Sequence, residues 1–101
     1  MSTNNKGYVF VELEVHDMDN FKAHYQPRST AAVAAFNGRF VMRGGDVTVK
    51  TGPSDARRRV LLEFDRYEDA LAFYDSDLYQ EAKLHRDKYA HVHAFYIMCG
   101  T

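Results

Sequence analysis

The sequence predicts an α+β domain in which four strands and two helical regions follow the order strand, helix, strand, strand, helix, strand. Three observations carry this. Two-residue alternation of apolar side chains marks YVFVELEV (8–15), RFVMR (39–43), RVLLEF (59–64) and the stretch from His91 to Met98. Apolar residues at helical spacing occupy the intervals between the first and second and between the third and fourth of these runs. Capping residues, Asp17, Asp65 and Ser76, stand ahead of the helical intervals. The order is the split β-α-β arrangement of ferredoxin-like folds, with an antiparallel sheet.

In the first strand Val9, Val11, Leu13 and Val15 share one face, and Tyr8, Phe10, Glu12 and Glu14 the other. Asp17 caps a helix from Met18, whose apolar side Met18, Phe21 and Tyr25 form. Pro27 should kink or interrupt it, since proline offers no amide hydrogen. The alanine-rich run Ala31 to Phe36 resumes the helix, and Asn37-Gly38 stops it. In the second strand Phe40 and Met42 point one way, and Arg39, Val41 and Arg43 the other. It ends in Arg43-Gly44-Gly45, read as a bulge after which DVTVK (46–50) continues the strand. Residues 51–58 have the composition of an exposed turn, so the run Arg57-Arg58-Arg59 reads as solvated. The third strand sets Val60, Leu62 and Phe64 on one face. Asp65 and Glu68 stand at capping-box spacing, and their helix carries Leu71 and Tyr74 inward. Ser76 caps a further helix containing Leu78, Tyr79 and Ala82.

With 101 residues, 46% of them hydrophobic, the chain fits one domain over 1–101 with enough apolar material for a core; the polar residues 1–6 are expected to be disordered. Thirteen basic against fourteen acidic residues leave a net charge of -1, too little to draw in nucleic acid or an anionic membrane. The single cysteine, Cys99, excludes an internal disulfide. The absence of a charged-then-apolar leader or a long apolar run gives the expectation of a cytoplasmic protein. Helices cover only one face of such a sheet. The other face is expected to carry Tyr8, Phe10, Val41, Leu61, Phe95 and Ile97 among Glu12, Arg43, Glu63 and His93. So much exposed apolar surface predicts a homodimer with its sheets face to face.

From Lys6-Gly7-Tyr8 to Met98 the chain resembles the family called domain of unknown function 1330, within the dimeric α/β-barrel superfamily. Gly38-Arg39-Phe40, Arg43-Gly44-Gly45, Glu63-Phe64 and FYDSDLYQ (73–80) carry the resemblance. It implies a ferredoxin-like protomer and a two-subunit barrel, with no particular reaction. More distant relatives in that superfamily include cofactorless monooxygenases, isomerases and ligand-binding modules.

Candidate site residues follow from chemistry. Arg43 beside flexible glycines can clamp a carboxylate, unless it pairs with Glu63 or Glu12 across the sheet. Tyr74, Ser76 and Tyr79 form a second group, with a helix N-terminus and two phenols facing a ligand oxygen, unless they are a cap and core tyrosines. Tyr25 and Glu63 join the candidate ligand set, and His24 is the candidate general base. His91 and His93 have a shared-face spacing but lack a third ligand at diagnostic spacing, so neither metal nor cofactor is expected. The expected function is the binding of a small aromatic or carboxylate-bearing metabolite, with oxygenation or isomerisation as the implied chemistry. The competing reading is a structural or regulatory homodimer with no ligand.

Overall fold

The computed structural model describes residues 5–101. Strands β1 (Gly7–Val15), β2 (Gly38–Arg43), β3 (Arg58–Phe64) and β4 (Ala90–Cys99) form one sheet in the order β2-β3-β1-β4, every neighbouring pair antiparallel. Helical segments α1 (Met18–Asn20), α2 (Gln26–Ala35), α3 (Tyr67–Asp75) and α4 (Asp77–Tyr89) pack on one face. This is the ferredoxin-like α+β arrangement. The core lies between the layers, with Val9, Val11 and Leu13 from β1, Leu62 and Phe64 from β3, and Phe21, Val33, Phe73 and Tyr79 from the helices. Among the described residues no helix is long and apolar enough to cross a membrane.

Asp17 caps α1 by accepting from the Asn20 amide at 3.2 Å, as the sequence implies. Between α1 and α2 the chain makes a π-helical turn, Phe21–Tyr25, which places Pro27 in the first turn of α2. The missing amide hydrogen of proline is tolerated there, so the helix is widened rather than broken. Phe21 is buried and Tyr25 half-buried as a result, both facing the sheet. Asn37 takes the left-handed turn position at φ 63°, and Gly38 already belongs to β2. Its glycine is required for packing, because a Cβ there would lie 2.5 Å from the Phe64 ring.

Several boundaries differ from the sequence expectations. Asp65 does not cap α3; Arg66 holds the cap position, and the Asp65 carboxylate accepts from Arg39 at 3.0 Å. Moving the helix start by one residue turns Ala70 and Phe73 inward, while Leu71 is 40% exposed. Ser76 does cap α4, accepting from the Tyr79 amide at 3.1 Å. Residues 46–50 do not extend β2 but belong to the loop leading to β3. At the N-terminus residues 1–4 lie outside the described residues, whereas the carbonyls of Asn5 and Lys6 accept from the Tyr67 and Gly100 amides.

Two register shifts decide which side chains face the helices. In β2 the shift falls at Val41, ahead of the glycine pair, so Met42 pairs with outward Leu61 and Arg43 with inward Val60. Phe40 and Arg43 therefore share the inner face, and Arg43 does not belong to the open face of the sheet. In β4 the shift opposite Glu12 and Leu13 sets Phe95 and Ile97 against Val11 and Val9, on the inner side. The open face carries Tyr8, Phe10, Leu61, Met42, Tyr96 and Met98 instead.

Candidate functional site

A cavity lies between the inner face of the sheet and the first helical layer, walled by Val11, Phe40, Val60, Leu62, Phe73 and Phe95. Tyr25, Gln26, Ser29, Tyr79 and Arg58 supply its few polar groups. The cavity volume is about 30 Å³, room for one or two waters, and the free space including its open mouth is about 440 Å³. Small-molecule sites share this composition of apolar walls with few polar groups.

Arg58 lines the cavity, and Arg43 stands next to Arg58, outside the lining itself. The register shift in β2 lays the Arg43 guanidinium over the Phe40 ring, 3.9 Å from its centroid. Its Nη2 donates to Thr30 Oγ1 at 3.0 Å and to the Gln26 carbonyl at 3.5 Å, both on or beside the helical layer. Arg58 Nη2 donates to the Arg43 carbonyl at 3.5 Å. Among the described residues neither guanidinium pairs with a carboxylate. The carboxylates that cross-strand pairing would offer Arg43 are engaged elsewhere. Glu63 accepts from Arg39 at 2.8 Å and from the Tyr8 hydroxyl at 3.1 Å, and Glu12 accepts from Arg57 at 3.0 Å and Arg59 at 2.9 Å. Loss of water, then the charge of Arg58, lowers the pKa of Arg43 below the usual arginine value, though the group stays charged. Gly44 fits this arrangement: its φ is 74°, and a Cβ would lie 2.5 Å from Arg58 Nη1. The Arg-Gly-Gly segment thus lets a second guanidinium lie against the backbone that follows the first.

At the inner end the Tyr25 and Tyr79 hydroxyls are 2.9 Å apart, and Arg86 Nη1 donates to Tyr79 at 3.1 Å. Tyr79 is 1% and Arg86 5% exposed. Burial is the first cause raising the pKa of both phenols, so both keep their hydrogens at neutral pH. Arg86 reaches outward through its Nε to Asp87 at 3.0 Å, a carboxylate that is itself half exposed.

The family described as domain of unknown function 1330 matches residues 6–100. The chain belongs to that family. No curated protein matches it. Its fold is similar to that of a protein of unknown function from Rhodopseudomonas palustris, 16% identical with a TM-score of 0.70, over 95% of this chain and 81% of that one. The methylated form of that protein gives 14% identity and a TM-score of 0.73, over 97% and 82%. A protein from Nitrosomonas europaea, provisionally described as an antibiotic biosynthesis monooxygenase, is 13% identical with a TM-score of 0.50, over 99% and 95%. At these identities the likeness establishes the fold alone.

Within this domain of unknown function 1330 fold, Tyr25 and Tyr79 line the cavity and Arg43 lies beside it on the ring of Phe40, while the other candidates do neither. Tyr74 packs its ring on Phe95 and Tyr79, at centroid distances of 4.9 and 5.7 Å, behind the cavity wall. The Ser76 hydroxyl donates to the Phe73 carbonyl at 2.7 Å while it caps α4, leaving no hydrogen for a ligand. Glu63 lies on the open face with Arg39, Lys6 and Tyr8. His24 stacks against His85 and Tyr89, at centroid distances of 5.9 and 6.0 Å, and does not line the cavity. Among the described residues no three His, Cys, Asp or Glu side chains are grouped to hold a metal.

Two functional candidates escape the sequence reading. Arg58 belongs to a basic run that reads as a solvated turn, yet it opens β3 and faces inward while Arg57 and Arg59 pair with Glu12. Arg86 sits seven residues after Tyr79, two turns along α4 on the same buried side. That spacing was the available signal.

Proposed function

We propose that the protein binds a small carboxylate-bearing metabolite with a flat, apolar body at the open mouth of the cavity in each protomer of a homodimer. The observation that carries this reading is the pair Arg43 and Arg58, two guanidiniums without a carboxylate at the mouth of a cavity with apolar walls. Like charges held together with only neutral acceptors raise the energy of the empty protein, and an anion between them removes that cost. Neither carboxylate nor imidazole lines the cavity among the described residues, so the reading is of binding and orientation, with no proton-abstracting group assigned.

The homodimer is supported by the open face of the sheet. Tyr96 is 57%, Met42 42% and Met98 41% exposed there, beside Phe10 and Leu61. The Arg39–Glu63 and Arg59–Glu12 networks flank this patch. Apolar surface of this kind, rimmed by charge, favours a partner over water. Sheet packing against a second copy gives the two-subunit barrel.

The test is calorimetric titration of the protein with benzoate. Saturable binding is expected, weakened about tenfold or more by Arg43→Met, the scale of one charge-assisted bond. A panel of benzoate, phenylacetate and hexanoate without saturable binding removes the reading. Light scattering after gel filtration tests the dimer separately, and a monomeric mass at micromolar concentration refutes it.

A further inference from the structure

Between β2 and β3 the chain leaves the sheet as an arm whose base is tied on both sides. The Gly44 amide donates to the Arg59 carbonyl at 2.9 Å. Arg59 in turn donates to Asp55 at 3.1 Å and to Glu12 at 2.9 Å. Between these ties residues 46–50 stand off from the body, with a cleft of about 550 Å³ between them and Glu12, Arg57 and Arg59. Among the described residues no backbone–backbone hydrogen bond reaches 46–50. All of them are exposed, Val47 at 50% and Val49 at 40%. The segment nonetheless has the composition of a strand. Val47, Thr48 and Val49 are β-branched, and the two valines alternate with Asp46, Thr48 and Lys50. An extended segment with free amides and carbonyls is a template for pairing with another chain.

Asp-Val-Thr-Val-Lys is its own antiparallel complement. A two-fold axis through Thr48 sets Asp46 opposite Lys50 of the partner subunit, Val47 opposite the partner's Val49, and Thr48 opposite the partner's Thr48. Opposite charges, β-branched pairs and threonine pairs are combinations that stabilise antiparallel strands. An axis through Val47 instead would set Lys50 opposite Gly44 of the partner subunit and lose both ion pairs. The free edges of the sheet offer no equal match. Neither β2 nor β4 contains an acidic residue, so pairing there would leave Lys50 without an opposite charge. We infer that the arm 46–50 pairs with the same segment of a second copy, as a two-stranded antiparallel ribbon on the two-fold axis of the dimer. Such a ribbon is marginal by itself in water, so this pairing rests on the homodimer reading. The open faces bring the arms together, and the arms fix the register of the two copies.

Thr48→Cys and Asp46→Cys, each made in protein carrying Cys99→Ser, leave one thiol per chain. All three positions are exposed, so folding is undisturbed. Opposed Thr48 positions lie within the span of a disulfide, whereas Asp46 and Asp46 of the partner subunit stand about 13 Å apart along the ribbon. Under mild oxidation Thr48→Cys should form a covalent dimer at least about tenfold faster than Asp46→Cys, read by electrophoresis without reductant. Without oxidant and at low salt, Asp46→Lys should raise the dimer dissociation constant about fivefold, because like charges then face each other at both ends. Adding Lys50→Asp should restore it. Light scattering of the unaltered protein gives the mass at the same concentration. A dimeric mass without a Thr48 link, or with equal linking rates at both positions, overturns the ribbon and leaves the homodimer standing. A dissociation constant that Asp46→Lys does not change, or that Lys50→Asp does not restore, does the same. A monomeric mass overturns both.

Discussion

Replacing Tyr79 by Phe removes both bonds of its hydroxyl at once. The bond from Arg86 is charge-assisted and its guanidinium is 5% exposed, so its loss is worth roughly 1.5–3 kcal/mol. The bond with Tyr25 is neutral and adds roughly 0.5–1.5 kcal/mol. The sum is roughly 2–4.5 kcal/mol, and at about 4–8 °C per kcal/mol for a domain this size the melting temperature should fall by about 8–36 °C. Tyr25→Phe, by contrast, leaves Tyr79 accepting from Arg86 and should cost only about 0.5–1.5 kcal/mol. A sharper consequence follows from Arg86, which keeps Asp87 but loses the acceptor of its buried Nη1. Adding Arg86→Met to Tyr79→Phe removes the buried Nη1 donor that has lost its acceptor, so the double variant should be more stable than Tyr79→Phe alone. Urea unfolding followed by circular dichroism measures all three, with an unchanged slope certifying a change of stability alone. If Tyr79→Phe is no worse than Tyr25→Phe, or if Arg86→Met deepens the loss, Arg86 does not depend on Tyr79 and the reasoning fails.

Arg43→Met should leave the stability of the ligand-free protein within about 0.5 kcal/mol or raise it, since only neutral acceptors are vacated and Arg58 loses a like-charged neighbour. Arg59→Met should lower it, because Glu12 and Asp55 both lose the guanidinium that joins them; equal effects in thermal melts would erase the distinction between the two arginines. Gly44→Ala should cost about 1–2 kcal/mol from the left-handed backbone and also weaken benzoate binding, as the new methyl displaces Arg58; unchanged affinity by calorimetry would place Arg58 outside the anion site. Acidification should destabilise the protein in two stages. Desolvation holds His85 below its ordinary 6.5, and the bond from Arg39 foremost holds Glu63 below 4.5. In both cases the unfolded chain binds more protons, so stability is complete above about pH 6.5 and falls as pH drops through each folded-state value. A urea midpoint that rises between about pH 7 and 4 contradicts that sign.

The fold was legible because its signals are redundant. Each strand carries several alternating residues, and Asp17 and Ser76 fix two helix starts independently of hydrophobic period. The errors come from single residues. Asp65 caps nothing and α3 starts one residue later, with Arg66 at the cap position and no side-chain cap, and Ala70 rather than Leu71 is buried; one residue is roughly 100° of helix rotation. The loop 46–50 alternates like a strand, but Val47 and Val49 find no paired neighbour and remain exposed. Arg58 and Arg86 were invisible for a different reason. Composition alone counts a charged side chain as surface, and only the packing reveals which arginine is covered and which carboxylates have already been taken.

The two register shifts have the largest consequences, and both fall where the cavity is built. Without the shift at Val41, alternation would send Arg43 to the open face beside Phe10 and Leu61, within reach of Glu12 and Glu63. With it, Arg43 turns inward over Phe40. The shift in β4 similarly turns Phe95 into the cavity wall and leaves Tyr96 outside. An extra residue in a strand interrupts the hydrogen-bonded ladder and is retained where it re-aims side chains. Here it delivers one cation and one aromatic wall to the same space, and it separates Arg43 from the carboxylates that would neutralise it. The positions where period-two reasoning fails are therefore the positions that make the cavity a candidate anion site, as expected where function and regularity compete.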